Sequence, residues 1–252
     1  MNAIRIGWIT VRELIFERVF YLLIAFAAGA ILLSLLLSQL TYTEQSKITL
    51  DFLLAGMEIS VVLYAVFMSI SLLHRELHQG SVFMVLSKPI SRWSYLVGKF
   101  IGQSTVLAFI VLSMNLIIIT LCSRFETFSG TAVLQSVLMI YFQGLVLSSI
   151  TYLLAVNSGA ITSALVSLCL FALGHMGSTV ENNLPSSSAT SWTIVKSLIP
   201  NLEIFNLKGY ASYGISVAWS DIGWASLYGV TCLTFILCGA ILCFNEKDIA
   251  GT

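Results

Sequence analysis

The chain has 252 residues, of which 58% are hydrophobic and only 10% are charged, and its mean hydropathy is +0.94. Soluble domains carry about 25% charged residues, so this composition excludes an ordinary soluble protein and indicates a membrane protein. The formal net charge is zero, which gives no support for nucleic-acid binding.

The first predicted element is a helix within residues 1–18 that lies in the membrane interface. One face of it is apolar, and Arg5, Arg12 and Glu13 lie largely elsewhere, as in amphipathic interfacial helices. The alternative is that this helix extends the first membrane span into water. The apolar face consists of Ile4, Trp8, Val11, Leu14 and Ile15.

Six apolar stretches reach the roughly 20 residues that a helix needs to cross a hydrocarbon core of about 30 Å. They predict an all-α, polytopic membrane protein with six transmembrane helices, forming a single transmembrane domain over residues 1–252. The third stretch is longer than a crossing needs, and the fifth is short. The predicted spans are residues 19–40, 52–73, 95–121, 132–156, 160–176 and 222–244.

The distribution of Lys and Arg predicts the orientation of the spans. Six spans place the N-terminus, the connector at 74–94, the turn at 157–159 and the C-terminus on one side. By the positive-inside rule, this more basic side is the cytoplasm. It carries eight basic residues (Arg5, Arg12, Arg18, Arg75, Lys88, Arg92, Lys99 and Lys247), against four on the other side (Lys47, Arg124, Lys196 and Lys208).

Several polar side chains lie inside the predicted spans. Glu58 is the most costly, because a carboxylate in a membrane costs a few kcal/mol. It either faces a substrate path or a dimer seam, or reaches the outer headgroups or a neighbouring hydroxyl. Asn115 and Gln143 are also candidates for a substrate path or a dimer seam, although hydrogen bonds between helices explain most polar residues of this kind. Gln135 and His175 are further polar residues within spans.

The connector at residues 74–94 has the features of a docking element. Gly80 permits a helix C-cap, Ser81 is a suitable N-cap for a short second helix, and Pro89 ends that helix. The short helix carries more large apolar side chains than a solvent-exposed turn needs. It is therefore predicted to lie crosswise on the cytoplasmic face and to fit a groove of a partner protein.

Residues 177–221 form a predicted external cap between spans five and six. The segment is too polar to cross a membrane and too apolar for a free loop. Its Trp192 and Trp219 suit the headgroup layer, and Pro200 ends a short amphipathic helix. We expect this cap to dip partly into the bilayer.

No metal or catalytic site is predicted. His74 and His78 flank Glu76 in the order H-R-E-L-H, which departs from the H-E-x-x-H zinc motif. An intramembrane enzyme, such as a lipid-modifying transferase or a protease, needs convergent catalytic groups. The predicted spans instead place Glu58 and His175 in opposite leaflets. This enzyme and a membrane anchor for a soluble partner are the alternative functions.

The connector also carries a family resemblance. The run "RELHQGSVFMVLSKPISRWSYLVGK", residues 75–99, resembles the first cytoplasmic connector of the membrane subunits of type-2 ATP-binding-cassette exporters. "PNLEIFNLKGY" before the last span and "FNEKDI" after it are weaker resemblances. Within that family the chain is most similar to the permeases of nitrous oxide reductase maturation and of gliding motility.

This resemblance implies a transport subunit of the inner (cytoplasmic) membrane that pairs with a second permease copy, two cytoplasmic ATPases and a periplasmic partner. The ATPase would bind ATP and Mg²⁺, and this chain would hold no cofactor. Indeed, Gly98-Lys99 lacks the other residues of a phosphate-binding loop. The residues implied to dock on the ATPase are Arg75, Glu76, Gly80, Ser81, Phe83, Leu86, Lys88, Pro89 and Arg92.

Overall fold

The computed structural model describes residues 3–15, 28–29, 31–32, 36, 45–79, 92–123, 129–175 and 200–246. Within these ranges the regular structure is helical, which confirms the all-α prediction. A 3-10 turn covers Glu203–Phe205. In chain order the α-helices are Ala3–Ile15 (α1), Gln45–Gln79 (α2), Arg92–Cys122 (α3), Gly130–Asn157 (α4), Ala160–His175 (α5), Lys208–Ser212 (α6) and Trp219–Glu246 (α7).

Helices α2, α3, α4 and α7 are long and apolar enough to cross a membrane. They correspond to the second, third, fourth and sixth predicted spans. Helix α5 coincides with the fifth but has only 16 residues. At 1.5 Å per residue it measures about 24 Å, less than the roughly 30 Å of a hydrocarbon core. Most of the first predicted span lies outside the described residues, so six spans remain a prediction.

The long helices run in alternating directions, and polar contacts fix their register. Glu58 of α2 meets Gln143 of α4, and further along the bundle Gln103 of α3 meets Ser69 of α2 and Ser148 of α4. Helices α2, α4 and α7 therefore begin at one end of the bundle, where α3 and α5 finish. We call this the cap end, and the opposite end, next to residues 80–91, the connector end.

Helix α4 is the centre of the bundle, and Gly144 lets two other helices approach it closely. A Cβ atom added at Gly144 would lie 2.5 Å from Cγ1 of Val61 in α2 and 3.1 Å from a methyl carbon of Leu107 in α3. Small residues permit this kind of close backbone approach between membrane helices. The contact holds α2, α3 and α4 at a fixed spacing around the polar groups described below.

Helix α1 packs along the beginning of α3 at the connector end. Gly7 and Gly102 form the closest contact, because a Cβ atom at Gly102 would lie 2.7 Å from the carbonyl oxygen of Gly7. Lys99 Nζ also donates a hydrogen bond to Glu13 Oε2 at 3.2 Å. The Trp8 side chain stays 68% exposed on the free side of α1. This exposure fits an interfacial helix, although the sequence did not predict the glycine contact.

Replacing Gly102 by leucine should push α1 away from α3. Overpacking a close contact typically costs about 1–3 kcal/mol, so the midpoint of thermal unfolding in detergent should fall. The matched control is Gly223→Leu in α7, where an added Cβ atom would meet no other atom within 4 Å. Equal unfolding midpoints for the two variants would show that the α1–α3 contact contributes nothing to stability.

Candidate functional site

The described part of the predicted cap is folded into the cap end of the bundle. The backbone N–H of Leu202 donates to the carbonyl of Gly174 in α5 at 3.2 Å, and that of Asn201 donates to the Tyr228 hydroxyl in α7 at 2.8 Å. Phe205 is fully buried, and its ring would lie 3.1 Å from a Cβ atom at Gly229. Residues 201–205 thus pack between the helix ends.

Two side chains of α4 hold the backbone of the same segment. Gln135 donates through Nε2 to the carbonyl of Val217 at 2.9 Å and accepts from the Val217 N–H at 3.0 Å. Ser136 Oγ donates to the carbonyl of Leu207 at 2.9 Å. Each bond satisfies a backbone group that would otherwise be costly at membrane depth. We call residues 200–218, held in this way, the cap segment.

Glu58 lies at the centre of the contacts between the cap segment and the long helices. Its side chain is only 7% exposed. Oε1 accepts a hydrogen bond from Gln143 Nε2 at 3.0 Å, and Oε2 is paired with Lys208 Nζ of α6. A buried carboxylate needs a counter-charge and hydrogen bonds to offset its loss of hydration. Lys208 and Gln143 supply both, one from the cap segment and one from α4.

His175, the last residue of α5, completes the cluster around Glu58. Its Nδ1 atom lies 4.0 Å from Glu58 Oε1, and its Nε2 atom lies 3.4 Å from Nδ2 of Asn206. The prediction that Glu58 and His175 occupy opposite leaflets is therefore wrong. Helix α2 begins and α5 ends at the cap end, and because α5 is short its last residue reaches the depth of Glu58.

A second polar contact fixes the cap segment to α2. Ser212 Oγ bonds to Asp51 Oδ1 and also lies 3.0 Å from the carbonyl oxygen of Lys208. Helix α6 is therefore joined to α2 at both of its ends, through Lys208 to Glu58 and through Ser212 to Asp51. This arrangement can act as a latch between the cap segment and α2, and we call the Glu58–Lys208 ion pair the cap latch.

A deeper polar layer joins α2, α3 and α4. Gln103 is 1% exposed, and its Nε2 atom lies 2.8 Å from Ser69 Oγ and 3.4 Å from Ser148 Oγ. Tyr64 donates through its hydroxyl to the carbonyl of Gln103 at 3.2 Å. The sequence interpretation did not single out Gln103. Its amide inside an otherwise apolar span was the available signal, the same one that marked Gln143.

The other predicted site residues lie elsewhere. Asn115 lines a groove between α3 and α4. Arg75 and Glu76 lie in the last turns of α2 and Arg92 begins α3, but their side chains are outside the description. The remaining predicted docking residues lie outside the described residues: Gly80, Ser81, Phe83, Leu86, Lys88 and Pro89.

In the part of the chain that the structure describes, no three His, Cys, Asp or Glu side chains are grouped so that they could hold a metal ion. Both Glu58 oxygens already have partners, as expected for an ion pair that holds two segments together. The cluster therefore holds the cap segment against α2 by electrostatic attraction.

The family model described as "ABC-2 family transporter protein" matches residues 10–184, which is more than half of the chain. No curated protein matches the chain.

Proposed function

The chain belongs to the ABC-2 family of transporter proteins, and on this premise we propose that it is the membrane subunit of an ATP-driven exporter. A separate cytoplasmic ATPase binds and hydrolyses ATP with Mg²⁺, and this chain moves the substrate across or out of the membrane. Two copies of the chain and two ATPase subunits make the transporter. Both termini and the connector lie in the cytoplasm, and the cap segment faces the opposite side.

The observation that carries the proposal is the family match, which spans α2, the connector and α3. Helix α2 is continuous from Gln45 to Gln79. Its 35 residues correspond to about 52 Å, so one rigid element links the connector end to the cap latch. In the proposed mechanism, ATP-driven closure of the ATPases presses on the two connectors. Helices α2 and α3 then transmit the movement as a tilt of one permease against the other.

The test is ATP hydrolysis by the reconstituted complex. A tagged chain would be purified with its ATPase from its own cells and placed in lipid vesicles. ATP hydrolysis should depend on both subunits and should disappear when the phosphate-binding lysine of the ATPase is replaced. An ATPase whose rate is the same with and without this chain would favour the anchor alternative. Modification of lipid or peptide without ATP would favour the enzyme.

The orientation is tested by cysteine labelling in sealed cells. Because the basic residues are biased eight to four, a membrane-impermeant reagent should label cysteines placed at Ser46 and Ser187 from outside. Cysteines placed at Ser87 and Thr252 should react only after the cells are opened. External labelling of the Ser87 position would reverse the assigned orientation.

A further inference from the structure

A groove between α3 and α4 lies apart from the cap latch. It has a volume of about 220 Å³, and most of its lining is apolar. Leu112 and Leu134 form its rim and are 61% and 43% exposed. Ala108 and Tyr141 lie at its deeper end, and Asn115 also lines it. Both helices are membrane spans by length and composition, so the groove lies at the depth of lipid chains.

The groove occupies the half of α3 nearer to the cap end. At the connector end α3 is covered by α7, where the rings of Tyr95 and Phe244 stack with centroids 6.2 Å apart. Asn115 lies seven residues before Cys122, the last residue of α3, which is about 10 Å along the helix. Ala108 lies about the same distance deeper. The groove therefore runs from near the border of the hydrocarbon toward its centre.

Asn115 and Tyr141 are the polar residues among those that line this groove, and the Tyr141 hydroxyl donates to the carbonyl of Ser104 at 3.5 Å. Asn115 is 7% exposed, and within the described part of the chain its Oδ1 atom has no hydrogen-bond partner. A buried amide at membrane depth is costly without a partner. The amide can rotate to present either its oxygen or its nitrogen, so it suits a ligand group that both donates and accepts. A hydroxyl group has this property.

From this geometry we infer that the groove binds one hydrocarbon chain of a lipid that carries an uncharged hydroxyl group beside Asn115. The groove is smaller than the roughly 300–1,000 Å³ of pockets that enclose whole small ligands, which fits a single chain. None of the described residues that line it carries a charge, which disfavours a phosphate or carboxylate at this depth. The inference does not rest on the proposed transport function, because binding is measured without ATP.

The test uses a photoreactive long-chain alcohol and its methyl ether, added to membranes that contain the full chain. The ether carries a methyl group in place of the hydroxyl proton, so it can accept a hydrogen bond but cannot donate one. The labelled peptides are mapped by mass spectrometry. At subsaturating concentration the alcohol should label α3 and α4 about threefold more than the ether. This is the affinity ratio expected from a single hydrogen bond as strong as those between membrane helices. Asn115→Leu should remove this difference while both probes still label the groove.

Two variants that each replace an alanine by phenylalanine serve as a matched pair. Ala108→Phe fills the deeper end of the groove and should abolish labelling by both probes. Ala172→Phe, on an exposed position of α5, should leave the labelling unchanged. Equal labelling by alcohol and ether in the unaltered chain would overturn the inference, as would labelling that persists in Ala108→Phe. Absence of label from the groove would also overturn it and would show that another part of the chain or a second copy covers the groove.

Discussion

Replacing Lys208 by methionine should strongly destabilise the protein, because it leaves the Glu58 carboxylate buried without its counter-charge. Removing one partner of a buried ion pair typically costs about 3–5 kcal/mol. The Glu58 side chain is 7% exposed and that of Lys208 is 20% exposed, so water screens the pair weakly. The measurement is the midpoint of thermal unfolding of the purified complex in detergent. We expect a clear fall for Lys208→Met.

The double variant Glu58→Gln, Lys208→Met separates loss of the pair from loss of the lysine. It removes both charges and keeps a side chain that can bond to Gln143, so most of the stability should return. Lys47→Met is the matched control, because Lys47 lies at the same end of the bundle, 4.7 Å from the centre of the Tyr213 ring. That contact is worth about 1 kcal/mol or less when exposed. If the double variant were as unstable as Lys208→Met, the loss of stability would not come from an unpaired Glu58 charge, and the cap latch would not stabilise the protein as proposed.

The double variant also tests the role of Glu58 in transport. If the carboxylate lines a substrate path or a dimer seam, the stable double variant should assemble normally but lose substrate-stimulated ATP hydrolysis. If Glu58 only holds the cap segment, a stable double variant should keep that stimulation.

The helices were largely predictable from the sequence because each apolar run carries its own signal. The predicted span at 132–156 became Gly130–Asn157, and that at 222–244 became Trp219–Glu246. A run of about 20 apolar residues is long enough to cross the hydrocarbon core, so it identifies a membrane span directly. The prediction that the cap dips partly into the bilayer followed from the same reasoning, because the segment is too apolar for a free loop, and it stays a prediction.

The partners across the fold were not predictable in this way. Glu58 and Lys208 are 150 residues apart, and no local pattern indicates which polar residue of a cap reaches which buried carboxylate. The order of the predicted spans already puts the start of the second and the end of the fifth on the same side, but it does not indicate that His175 Nδ1 lies 4.0 Å from Glu58 Oε1. The contact of Gly7 with Gly102 depends on backbone geometry. Single-sequence periodicity identifies the face of a helix but does not identify the face that it meets.

The cap latch and the connector lie toward opposite ends of helix α2. Glu58 is near the cap segment, and the last described residue of the helix is Gln79, next to the connector. If the exporter switches between two arrangements, a tilt of α2 would be transmitted to Glu58 and so to the cap segment. Removing the latch should therefore leave the ATPase bound, whereas damage to the connector should release it.

Replacing Phe83 by alanine should leave the chain inserted and folded but should detach the ATPase during purification. Phe83 is the largest apolar side chain of "GSVFMVLSKP" and lies outside the described residues, so this prediction rests on the connector sequence and the family. Truncating a buried aromatic anchor commonly costs about 2 kcal/mol, which is roughly a thirtyfold loss of affinity. The measurement is the amount of ATPase that co-purifies with the tagged chain.

Two further variants make the result specific to the connector. Phe109→Ala makes the same chemical change on the exposed surface of α3, where Phe109 is 70% exposed, and should retain the ATPase. Glu76→Gln removes a charge that we place at the rim of the interface, where charges affect salt dependence more than affinity, and should weaken retention only at raised salt. Co-purification and ATP hydrolysis of Phe83→Ala at the level of the unaltered chain would exclude the connector as the coupling element. The proposed transmission through α2 and α3 would then also be excluded, because the force would have no entry point at their ends.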